Sequence, residues 1–139
     1  MAPESWAEVA EVIDSIESTT CSINQAEYLY TLSKQALASG EVVEIGTNVG
    51  RSTIALAFAQ KEMQGRPLHT VDKKKHPNLD SHLAKAGVQE YVQVNTEGSC
   101  IAAAQWNKPI SLLFIDGDHC RVGVSMDIRH WIHHLVQKG

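Results

Sequence analysis

Val42-Val43-Glu44-Ile45-Gly46-Thr47-Asn48-Val49-Gly50-Arg51-Ser52-Thr53 joins an apolar run, a carboxylate, a turn bounded by two glycines and the start of a second apolar stretch. The run reads as a buried strand that passes through a tight turn into a helix. Glycine lets the backbone turn sharply and come close to a ligand, and the first N–H groups of the following helix have no internal partner and face the same space. A nucleotide-like cofactor can occupy such a junction.

The next expected strand, Pro67-Leu68-His69-Thr70-Val71-Asp72, ends in an acid within one βαβ unit of Glu44. A carboxylate so placed can accept both hydroxyls of a ribose. A further strand, Ile110-Ser111-Leu112-Leu113-Phe114-Ile115-Asp116, runs into Asp116-Gly117-Asp118-His119. Three strand ends therefore carry acids, and in an open parallel sheet ligands bind beyond the carboxyl ends of the strands. The competing reading is that each acid caps the helix that follows it.

Working outward, the pattern alternates. Strands are expected over 41–46, 67–72, 91–95 and 110–116, with helices over about 50–63, 78–86, 98–105 and 121–138. Strands separated by helices imply parallel pairing through right-handed crossovers, and a strand as continuously apolar as 111–115 implies a sheet covered on both faces. Two helices precede the first strand. Trp6, Val9, Ala10, Ile13 and Ile16 recur at helical spacing over 3–17, with Pro3 and Glu4 in the first turn. A second helix is expected over 24–38, with Asn24 and Glu27 at capping-box spacing and Gly40 closing its end.

The 139 residues suit one domain with a real core, an α/β fold with a parallel sheet and helices on both faces. The last helix would carry Ile128, Trp131, Ile132 and Leu135 on one face and stop at Gly139 with no fifth strand behind it. The expectation is a partial domain over 1–139, its C-terminal strands missing, whose open sheet edge could template a homo-oligomer. No apolar run is long enough for a membrane span and the N-terminus lacks a signal-peptide pattern, so a cytoplasmic location is expected and no membrane partner. Cys21, Cys100 and Cys120 are scattered and read as reduced thiols. A net charge of −4 argues against nucleic acid, and Lys73-Lys74-Lys75 reads as a solvated turn. His130, His133 and His134 read as surface or packing residues, Trp106 and Trp131 as core or cover.

The E-I-G-x-x-x-G-x-S-T pattern from Glu44 to Thr53 and the Phe114-Ile115-Asp116-Gly117-Asp118-His119 run resemble class I S-adenosylmethionine-dependent methyltransferases. The similarity is to the branch called methyltransferase domain 24, which is also similar to cephalosporin-hydroxylase-like proteins and catechol-type O-methyltransferases. It covers about residues 24–139 and implies a Rossmann-like fold. The resemblance implies that Glu44, Gly46, Thr47, Asn48, Gly50 and Ser52 form the turn around the methionine part of the cofactor, with Gly46 passing closest. It places Asp72 at the ribose, Ser99 of the Thr96–Ser99 loop beside the adenine, and Asp116 near the methyl group. In metal-dependent members Asp116 also binds a divalent cation such as Mg. Asn48 departs from the pattern, standing where many members have a middle glycine.

Elementary electrostatics favours the same cofactor. A dinucleotide would bring a pyrophosphate to the first helix N-terminus, where Glu44 would repel it; a sulfonium with an amino group suits an acid there. Glu44 could balance that charge directly or through water. The G-x-x-x-G spacing also differs from the G-x-G-x-x-G of dinucleotide folds. Methyl transfer needs in-line attack on the carbon attached to sulfur, so positioning dominates. His119 reads either as the base for an acceptor hydroxyl or as a helix-capping residue, and a cation at Asp116 could acidify that hydroxyl instead. The expected function is methyl transfer from S-adenosylmethionine to a small-molecule oxygen or nitrogen. The alternatives are a non-catalytic binding or assembly module of this fold, and an NAD-dependent oxidoreductase.

Overall fold

The computed structural model describes residues 2–36, 38–116 and 121–136, the side chains at 121 and 122 excepted. Four parallel strands lie in the order β3-β2-β1-β4: β1 is Glu41–Ile45, β2 Leu68–Val71, β3 Val92–Asn95 and β4 Ile110–Ile115. The helices are α1 Trp6–Ser15, α2 Ile23–Gln35, α3 Arg51–Glu62, α4 Leu79–Ala86, α5 Ser99–Gln105 and α6 Arg121–Trp131. Every expected element is present. β1 pairs with β2 on one side and β4 on the other, so the crossover direction reverses at its carboxyl end, where open α/β sheets place their ligand crevice.

Alternation along β1 sorts the core into two layers. Val42 packs with Val9, Ile13, Leu29, Ile54, Phe58 and Leu83 from α1 to α4. Val43 and Ile45 face the other way, with Val71, Ala102, Ala103, Ile110 and the fully buried Trp131. All five residues of β1 are buried, whereas in β4 only Ile110 is, as a central and an edge strand should differ.

Three local details depart from the expected boundaries. Helix α1 begins at Trp6 because Ser5, not the Pro3–Glu4 pair, is its N-cap, accepting the Glu8 N–H. The capping box of α2 is Ser22 with Gln25, each side chain bonding the other's backbone N–H, two residues before the expected Asn24–Glu27 pair. Gly40 lies beyond the end of α2 and lets the chain pass β4, since a Cβ there would stand 2.6 Å from the Ser111 amide nitrogen.

The fourth departure is larger. The expected helix over 121–138 ends at Trp131 and gives way to a 3-10 turn, Ile132–His134, after which the backbone extends at Leu135. Leu135 bridges Ile110 in parallel, and the Val136 N–H donates to the Ile110 carbonyl at 2.8 Å. Residues 135–136 therefore touch the outer edge of β4 through one isolated parallel bridge, and the sheet of the described residues has four strands. Gly139 lies outside the described residues. Among the described residues no helix is long and apolar enough to cross a membrane.

Candidate functional site

The turn between β1 and α3 takes a left-handed shape at three positions: Gly46 (φ 102°), Asn48 (φ 51°) and Gly50 (φ 98°). Asparagine is among the few residues with a Cβ that tolerate this region, which explains how Asn48 stands at a glycine position. Gly50 is also the N-cap of α3. Its shape is held from β2: Asp72 Oδ2 accepts the N–H groups of Thr47 and Asn48, both at 3.1 Å, and Oδ1 accepts that of Lys74 at 3.2 Å. Asp72 thus braces the turn rather than capping α4, whose N-cap is Asn78.

Glu44 lies beneath that turn. On the α3 face of β1, in register with Thr70 and Phe114, it is fully buried. Its Oε2 accepts the Ser52 hydroxyl at 2.5 Å, and its Oε1 accepts those of Thr53 at 2.6 Å and Thr70 at 2.8 Å. Burial pushes its pKa up to about 7 against the pull of these three donors, with the Asp116 charge adding to the rise. Expected at the cofactor, Glu44 and Ser52 instead bond each other inside the protein, joining β1, β2 and the first turn of α3. The cause is the parity of β1, which aims Glu44 under α3.

Two clefts open at the carboxyl edge of the sheet. The first, about 650 Å³, lies toward α5 and α6 and is lined by Gly46, Asp72, Gly98 and Ser99 together with Met126 and Asp127. Its size falls in the ordinary range for small-ligand sites. A Cβ on Gly98 would meet nothing within 4 Å, so this edge of the cleft has open room above the backbone. The second, about 510 Å³, lies toward α2, where Cys21, Tyr28, Leu29, Leu32, Phe114 and Asp116 form its walls. The three acidic strand ends therefore do not share one cavity: Asp72 faces the first cleft, Asp116 the second, and Glu44 is interior.

The clefts nonetheless meet across one short span of backbone. The Asp116 N–H donates to the Ile45 carbonyl and the Gly46 N–H to the Val71 carbonyl, each at 2.7 Å. Cys21 carries the mark of this neighbourhood, its thiol pushed up to about 11 by burial first and then by the Glu44 charge. Arg51, buried at the start of α3, donates to the carbonyls of Ile16 at 2.7 Å and Cys21 at 3.0 Å, fastening the α1–α2 loop over the second cleft. Nothing in the sequence reading anticipated this role.

Also missed were Lys73, Met126, Asp127 and His130, all in the first cleft. Ser99 also lines this cleft, and the Trp131 indole N–H donates to its hydroxyl at 2.9 Å. Asp118 and His119 lie outside the described residues. Among the described residues no group of three His, Cys, Asp or Glu side chains gathers into a metal site around Asp116 or elsewhere.

Residues 43–139 match a family model described as a methyltransferase domain, more than half of the chain. Among solved structures, the chain is similar to cofactor-bound Rv0187 from MTB, with 27% identity and a TM-score of 0.65 over 90% of this chain and 59% of that one. It is also similar to the O-methyltransferase TomG from Streptomyces achromogenes, involved in tomaymycin synthesis and solved with SAM, at 21% identity and TM-score 0.66, covering 94% of this chain and 63% of that one. An O-methyltransferase from Bacillus cereus in complex with SAH matches at 22% identity and TM-score 0.66, covering 93% and 63%. The chain thus spans about three fifths of the length of these relatives. By its matched domain, and with a Rossmann-like sheet like that of these relatives, the chain belongs to the methyltransferase-domain family.

Proposed function

We propose that the chain binds S-adenosylmethionine across the carboxyl edge of β1 and β2, with the adenosyl part in the Asp72 cleft and the methyl group directed toward Asp116. The observation that carries this reading is the braced left-handed turn opening on a cleft that holds Asp72 and Ser99. An ionised carboxylate has about four acceptor sites, and the Thr47, Asn48 and Lys74 N–H groups take three of those on Asp72, which leaves room for a ribose hydroxyl. Gly46 lets the sulfonium pass close to the backbone, the Ser99 hydroxyl meets a polar edge of the adenine, and the open room at Gly98 accommodates the ring.

Bound S-adenosylmethionine supplies an electrophilic methyl carbon on a positive sulfur. The chain's own residues orient it and keep water away, which is most of what in-line methyl transfer asks of a protein. The proposed acceptor is the oxygen or nitrogen of a small molecule, approaching from the Asp116 side. Asp116 and His119 are the proposed proton-handling groups, and a divalent cation such as Mg at Asp116 is the second route to an acidified hydroxyl. Loss of methyl transfer on chelation, restored by Mg, would favour that route.

Equilibrium dialysis with labelled S-adenosylmethionine tests the binding step. Saturable retention displaced by S-adenosylhomocysteine and not by NAD supports the reading; displacement by NAD alone would favour the oxidoreductase alternative. The half-buried outer strand β4 supports one further proposal, a homo-oligomer formed edge to edge. Its test is a concentration-dependent mass in sedimentation, a constant monomer mass counting against it.

A further inference from the structure

We infer that His82 is a positioning residue for the donor site, holding the Val49 carbonyl so that the turn 46–50 keeps its cofactor-binding shape. The inference rests on the reading of the Asp72 cleft as the S-adenosylmethionine site. Left-handed backbone is unfavourable for a residue with a Cβ, and Asn48 holds it between two left-handed glycines that are themselves free to leave it, so the turn keeps its shape only where its surroundings fix it. The β2 side is fixed by Asp72 and by the Thr47 hydroxyl, 2.6 Å from that of Thr70.

The opposite side is fixed from α4. His82 Nδ1 lies 2.7 Å from the Val49 carbonyl oxygen. One helical turn earlier, Leu79 packs beneath Gly50, close enough that a Cβ there would fall 2.8 Å from its Cδ1. A carbonyl can only accept, so Nδ1 must carry the proton whether the ring is neutral or charged. The contact therefore survives protonation of the ring. His82 is half-buried and is not among the residues lining the Asp72 cleft, so its effect on the donor passes through the turn. Asp72 differs, since it both braces the turn and faces the ligand.

A turn that is correctly shaped only part of the time binds more weakly in proportion to that fraction. Titration of the 139-residue chain with S-adenosylhomocysteine, comparing the parent with His82→Ala, His82→Leu and His82→Asn, tests the role. The Asn side-chain nitrogen hangs from Cγ as Nδ1 does and restores the donor, while Leu keeps bulk without it and serves should Ala fail to fold. Losing one hydrogen bond of this kind predicts about five-fold weaker binding for Ala and Leu, with Asn within about two-fold of the parent. Amide exchange at Asn48–Gly50 in the ligand-free protein should quicken in Ala and Leu and stay at the parent rate in Asn.

A purely structural role would lower the denaturation midpoint and leave the affinity of the folded protein unchanged. Equal affinity in all four proteins, or an Asn variant as weak as Ala and Leu, overturns the inference. A folded parent that binds no S-adenosylhomocysteine overturns the donor-site reading, and the inference with it; a parent that binds, with His82→Ala unchanged, overturns only the role of His82.

Discussion

The Thr70 hydroxyl of β2 donates to Glu44 Oε1 of β1 at 2.8 Å, and this bond sets the direction of a longer chain. Thr70 has one hydroxyl proton and spends it on Glu44, so the Thr47 hydroxyl beyond it must donate to Thr70. The buried acid thereby reaches the turn between β1 and α3 through two hydroxyls.

Glu44 makes stability depend on pH in a defined direction. Its pKa is raised from 4.5 to about 7 on folding, so the folded state holds the proton more tightly than the unfolded chain. The stabilisation from the protonated form is fully present below about pH 4.5 and is lost as pH rises through 7, amounting to about 3 kcal/mol. Glu44→Gln removes this titration while its amide still meets hydroxyls. The stability difference between Gln variant and parent, from urea midpoints, should grow in favour of Gln between pH 4.5 and 7. A difference that stays constant over that span would show that Glu44 is ionised throughout.

Gly50→Ala and Asn48→Gly should differ in effect although both change the same turn. The Ala methyl meets only the flexible end of Leu79, so the cost comes chiefly from its φ of 98° and should be about 1–2 kcal/mol. At Asn48 the relief of left-handed strain is offset by the freer unfolded chain, leaving a change within about 0.5 kcal/mol. Denaturation midpoints of the two variants check this.

Arg51→Met should destabilise by about 2 kcal/mol, because two carbonyls lose their donor while only a small repulsion from the helix N-terminus is relieved. It should also loosen the α1–α2 loop. In the parent, the Cys21 thiol, pushed up to about 11, should alkylate more slowly at neutral pH than the exposed Cys100. Peptide mass mapping of the parent checks this, with Cys100 expected to be labelled before Cys21.

Much of this was legible because the signals were local. Apolar runs, glycines and cap residues mark each element, and strand ends in a parallel sheet must face one edge, which is why Gly46 and Asp72 line one cleft. Strand parity gives the face of Glu44 but not its depth, which depends on hydroxyls arriving from β2 and α3. The separation of Asp116 from Asp72 follows from where α2 packs, a tertiary fact. Met126, Asp127 and His130 escaped for a similar reason: helical spacing shows that α6 has faces, not which one meets the strand tips. The one-turn spacing of Gly123, Asp127 and His130 was the available hint. Leu135 and Val136 continue the α6 pattern in sequence, and only their contact with Ile110 reveals that the backbone has left the helix.

Calorimetric titration of the folded chain with S-adenosylhomocysteine, run beside Asp72→Ala, tests the central claim most directly. Saturable one-site binding that weakens at least about ten-fold in Asp72→Ala is the predicted result, as expected when a ribose acceptor and the brace on Thr47 and Asn48 are lost together. No saturable heat from the folded parent, or an Asp72→Ala variant that binds as the parent does, would contradict it.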